Sequence, residues 1–129
     1  MAALLAALSL LATCADEVVC PAIGWSNALT VELAEGWADV PGGSITLDCS
    51  SPCGAIDLDA REPASELSVP LTGGPAVVQL LAAPDSVTAT VLDSDGVVLG
   101  GTTAPLDWRR VGGSEECGGP LEAVVSIPS

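Results

Sequence analysis

The stretch Val87-Thr88-Ala89-Thr90-Val91-Leu92-Asp93-Ser94-Asp95-Gly96-Val97-Val98-Leu99 decides the fold class. Val87, Ala89 and Val91 alternate with Thr88 and Thr90, the period-two pattern of a strand with one face on a core. Asp93-Ser94-Asp95-Gly96 then breaks the pattern, and Asp-Gly is a strong signal for a hairpin turn. Two antiparallel strands joined tightly are expected here. The same residues echo the end of a D-x-D-x-D-G calcium loop. The first aspartate and the later bidentate glutamate of that pattern are absent, so the expected role is a turn.

Outward from the hairpin the alternation recurs. Leu29, Val31 and Leu33 share one side of a run, as do Ile45, Leu47 and Cys49 in the next. Leu67, Val69 and Leu71 follow, and Leu121, Ala123, Val125 and Ile127 line the last run. Turn clusters fall between them at Pro41-Gly42-Gly43, Gly73-Gly74-Pro75, Ala83-Pro84-Asp85, Gly100-Gly101 and Gly112-Gly113. No segment beyond the N-terminal run sustains a helical period. Short strands at this spacing predict an all-β fold, a Greek-key, immunoglobulin-like β-sandwich of about seven to nine short antiparallel strands. Pro70 cannot donate to a ladder and marks its strand as an edge. The likeness to immunoglobulin domains is architectural only. The tyrosine that those domains place two residues before the second bridging cysteine has no counterpart in a chain without tyrosine.

Composition narrows the function. The chain has 129 residues, with 17 acidic side chains against three arginines (Arg61, Arg109 and Arg110) and a net charge of −14. Such a charge repels phosphate backbones, so no nucleic-acid partner is expected. Apolar residues make up 49% of the chain and mean hydropathy is +0.55, which is far from the profile of a disordered acidic segment. Histidine and lysine are both missing. Ser-His-Asp and Cys-His catalysis, histidine zinc sites and Schiff-base chemistry are thereby excluded. No catalytic residue, metal site or cofactor is assigned. A hydrolase working through paired carboxylates is the remaining enzymatic alternative. Asp57-Leu58-Asp59 and Glu115-Glu116 read as solvated surface rather than as such a pair.

The first residues address the compartment. Met1 to Leu11 is an uncharged Ala/Leu run, too short to span a bilayer and of the size of a signal-peptide hydrophobic region. It leads into Leu11-Ala12-Thr13-Cys14, which resembles the lipobox of bacterial lipoproteins. That resemblance implies a signal peptide over residues 1–13 and a diacylglyceryl group on Cys14. Thr13 stands where glycine, alanine or serine is usual, and no Lys or Arg precedes the apolar run. The missing basic flank points to a start codon further upstream. An ordinary signal cut after Ala15, giving a secreted protein, is the alternative; a third is an uncleaved helix. With lipidation, residues 14–19 form a short tether to a single domain over residues 20–129. Ala15 to Val19 span under about 18 Å when extended, which holds the domain near the membrane.

Cysteine parity supports export. Five cysteines leave an odd one over, and giving Cys14 to a lipid leaves Cys20, Cys49, Cys53 and Cys117 as an even set. Three pairings are open. Cys49–Cys53 with Cys20–Cys117 is preferred, because Ser50-Ser51-Pro52 looks like the tip of a tight hairpin whose ends face each other. Chain entropy does not separate this from the crossed pairings. A four-cysteine zinc site lacks the two C-x-x-C knuckles it would need.

Trp25, Trp37 and Trp108 are the only aromatic residues and read first as large packing elements. In Leu106-Asp107-Trp108-Arg109-Arg110-Val111, alternation puts Leu106, Trp108 and Arg110 on one face. The bland reading buries Trp108 and lets Arg110 emerge at the rim. The sharper reading makes Trp108 with Arg110, or else Trp25, a binding platform for a glycan or peptide. The segments 20–27 and 108–120 resemble stretches of small uncharacterised lipoproteins of GC-rich Gram-positive bacteria. That resemblance covers about a sixth of the chain and implies no activity. Each segment carries one cysteine, Cys20 and Cys117, which suits a bridge between them. The functional expectation is a non-enzymatic binding or structural module of the cell envelope. It would be held on the outer face of the cell membrane by a lipid anchor, with an envelope protein or glycan as partner.

Overall fold

The computed structural model describes residues 19–20, 24–53 and 66–129. The expected signal peptide, Cys14, most of the tether, Asp57-Leu58-Asp59 and Arg61 lie outside the described residues. In chain order the strands are β1 (Asn27–Leu33), β2 (Ser44–Cys49), β3 (Glu66–Pro70) and β4 (Ala76–Leu80). They continue as β5 (Ser86–Leu92), β6 (Val98–Pro105), β7 (Arg109–Arg110) and β8 (Leu121–Ile127). Among the described residues they form two four-stranded sheets, ordered β4-β1-β8-β7 and β3-β2-β5-β6. The chain changes sheet after β1, β3, β4 and β6, and no helix occurs among these residues. This is the expected β-sandwich.

The core comes from the alternating positions read in the sequence. Leu29 and Val31 of β1 are buried, with Ile45 and Leu47 of β2, Val87, Ala89 and Val91 of β5, and Ala123, Val125 and Ile127 of β8. One inward face from each sheet excludes water, which is what period-two patterning requires of a half-buried strand. Asn27 is the buried polar exception. Its amide donates to Ala82 O at 3.1 Å and its Oδ1 accepts from Leu121 N at 3.0 Å, tying the starts of β1 and β8 together. Pro70 ends β3, which is indeed an edge strand.

The deciding hairpin is β5–β6. Gly96 N donates to Asp93 O at 3.0 Å and Asp93 N to Val97 O at 2.9 Å, closing a three-residue loop. Gly96 has φ +81°, a conformation that a Cβ would disfavour. The Asp93 carboxylate accepts from Asp95 N and Val97 N, each at 2.9 Å. Its Oδ1 is thus occupied by the turn itself.

Gly100-Gly101 is not a turn: it lies inside β6. Both glycines are there because neighbours come close. A Cβ on Gly100 would stand 2.9 Å from Cη2 of Trp37, and one on Gly101 would stand 2.6 Å from Ala89 O. Gly101→Val is expected to lower stability by about 1–3 kcal/mol through this backbone clash. Gly74→Ala, where nothing lies within 4 Å, should stay within about 0.5 kcal/mol. Urea midpoints of the two variants check the contrast.

Among the described residues all strand pairs are antiparallel except one. β1 and β8 run parallel, with Leu29 opposite Ala123 and Leu33 opposite Ile127. Both strands therefore start at one end of the sandwich and finish at the other. At the starting end, Cys20 is bonded to Cys117 with the Cα atoms 5.2 Å apart. Cys49, the last residue of β2, is bonded to Cys53 at a Cα separation of 5.5 Å. β2 pairs onward with β3, so the strand return does not begin at Cys53 as the tight-hairpin reading had it; residues 54–65 lie outside the described residues.

Candidate functional site

At the finishing end of β1 and β8 the chain crosses between sheets twice. Residues 34–43 carry it from β1 to β2, and residues 71–75 carry it from β3 to β4. Several backbone bonds fasten these crossings: Ala34 N to Ile127 O at 2.9 Å, Leu71 N to Gly43 O at 3.0 Å, and Gly43 N to Val40 O at 3.1 Å. Between the two crossings lies a cleft of about 740 Å³, a volume suited to a small ligand or a short peptide segment.

Trp37 sits in its wall. The indole N–H donates to Ile127 O at 2.9 Å, so that one carbonyl accepts from both Ala34 and Trp37. The far edge of the ring reaches over Gly100 of β6. Trp37 thus spans from the last strand of one sheet to the edge strand of the other, and half-buried it packs against the core. Leu33 and Leu71 add apolar wall, and Ile45 lies at the base. Glu32, Glu35 and Asp39 supply carboxylates to the same lining, with Glu35 and Asp39 exposed. No arginine contributes to that lining among the described residues.

The residues singled out in the sequence gather elsewhere. Trp108 is half-buried against the core and donates its N–H to Pro84 O at 2.8 Å. Arg110, two residues further on, is exposed, with its guanidinium reaching Gly112 O at 3.4 Å. Arg109 pairs with Asp107 at 3.0 Å, but both side chains are about four-fifths exposed (81% and 79%) and such a pair contributes little. Trp25, 45% exposed, lies near Gly118, where a Cβ would come within 3.3 Å of the ring. Trp25 and Trp108 therefore lean on different connections, Gly118 and Pro84, and the packing component of Trp108 is the one that the geometry displays. No cluster of three or more metal-ligating side chains occurs among the described residues.

Sequence reasoning missed the cleft. Trp37 was legible only as a core residue, because its pairing with Gly100 spans distant parts of the chain. A signal was available in Glu32-Leu33-Ala34-Glu35-Gly36-Trp37-Ala38-Asp39, where an aromatic residue stands among three acids at the end of β1 and in the crossing that follows.

No family model, curated protein or solved structure matches this chain.

Proposed function

We propose that the chain is a non-enzymatic binding module, tethered by a lipid on Cys14 to the outer face of a bacterial cell membrane. The observation that carries the binding part is the cleft beside Trp37. It is set at the end of the sandwich opposite the Cys20–Cys117 bridge, where a tether would enter. The two disulfides fit an oxidising, extracytoplasmic environment. With both bridges formed, Cys14 is the cysteine left over, which suits the acylated position of a lipobox. The lack of histidine and lysine in the whole chain supports binding over catalysis.

Intact-mass spectrometry of the protein extracted from its native membrane tests this reading. The expected mass corresponds to a chain beginning at acylated Cys14 with four cysteines in two bridges. A soluble product that retains unmodified Cys14 would overturn the anchor.

A further inference from the structure

We propose that the cleft beside Trp37 receives a lysine- or arginine-bearing segment of a partner protein. The proposal rests on the binding-module reading and names the ligand class for that site.

The charge distribution argues for a cation. Glu32, Glu35 and Asp39 line the cleft, and the β5–β6 turn brings Asp93 and Asp95 to the same end, with Ser94 close to Gly42. Arg109 and Arg110 are the only cations among the described residues, and both sit at the other end, opposite Glu122 and Leu121 at the start of β8. Among the described residues the charged groups at the cleft end are therefore all acidic, and the negative potential there adds to that of a chain carrying −14 overall. An anionic or phosphate-bearing ligand would be repelled from this end.

The wall chemistry argues for a long cationic side chain rather than a bare ion. Glu35 and Asp39 of the lining are exposed, while Trp37, Leu33 and Leu71 of the same lining pack against the core and Ile45 belongs to it. A lysine or arginine has this same division, a stem that packs on apolar surface and a charged head that stays near water. The indole face adds attraction for the cation. The volume of about 740 Å³ exceeds one side chain and leaves room for its flanking residues. A segment of polypeptide meets all three conditions.

The test uses the full chain in nanodiscs of zwitterionic lipid, with both disulfides intact and empty nanodiscs as blank. The probes are fluorescein-labelled Leu-Lys-Val-Lys-Leu peptide and its counterpart with both lysines replaced by glutamate, read by fluorescence anisotropy. Saturable binding of the lysine peptide, weakened on going from 50 to about 500 mM salt as screening requires, is expected, with none for the glutamate peptide. Glu35→Gln combined with Asp39→Asn should weaken the lysine peptide about fivefold. Asp85→Asn combined with Glu122→Gln, at the opposite end, should leave it within about twofold. Equal losses in the two double variants would mean that the peptide senses only the overall charge, and would overturn the proposal. Absence of lysine-peptide binding would also overturn it, while an acylated Cys14 in the mass spectrum would leave the anchor standing.

Discussion

Replacing Cys20 and Cys117 together by serine is expected to lower the unfolding free energy by roughly 4–5 kcal/mol, against about 2 kcal/mol for Cys49 with Cys53. The contrast comes from loop length. The first bridge joins residues 97 apart in sequence, and the second joins residues four apart. Cutting the longer bridge returns far more freedom to the unfolded chain. For a domain of this size the loss is a large fraction of a typical total stability of 5–15 kcal/mol. Urea unfolding of the two double variants measures it directly. Equal losses, or a larger loss at Cys49–Cys53, would show that local packing around each bridge outweighs chain entropy. The short bridge is the better placed for that, since Cys49 and Cys53 are both buried and belong to the core.

Leu47→Ala should cost about 3 kcal/mol, within the range of 2–5 kcal/mol found for buried leucines. Leu47 has no exposed surface and lies in the middle of β2, an interior strand. Its cross-strand neighbours are Leu67 on β3 and Ala89 on β5. Ala89 is too small to lean into the space vacated, and the sheet behind is held by hydrogen bonds on both sides, so a cavity would persist. Leu81→Ala is the matched control. That side chain is 65% exposed, and its loss should change stability by less than about 0.5 kcal/mol. Calorimetric or urea midpoints that move equally for the two leucines would contradict the assignment of faces.

These expectations show which parts of the molecule were written locally. Period two told which side of β1, β2, β3, β5 and β8 faces inward, because adjacent side chains on a strand must point apart. Asp93 and Gly96 announced their turn for the same local reason. β4 was not legible: Ala76, Val77 and Val78 run together without alternation, and the strand's inward side is apparent only once β1 lies beside it. Gly100 and Gly101 were misread as a turn, since glycine marks a bend and a close approach alike. The parallel union of β1 with β8 joins residues nearly a chain length apart and leaves no local trace. The cleft depends on that union through Ile127, whose carbonyl holds both Ala34 and Trp37. The acids of the lining were visible as charge but not as a group.

The parallel pair also determines how this fold would carry a pull. With a tether entering at Cys20 and a partner gripping residues 34–41, tension runs lengthwise along β1, whose seven residues span roughly 20 Å. β1 is already extended, so its covalent backbone would carry a pull between its two ends, and the ladders to β4 and β8 would hold it in place without being sheared. The Cys20–Cys117 bridge ties the approach of β8 to the same end, and β8 runs alongside β1 in the same direction. One covalent strand thus joins the two ends of the domain, and the sandwich would not have to open under such a load.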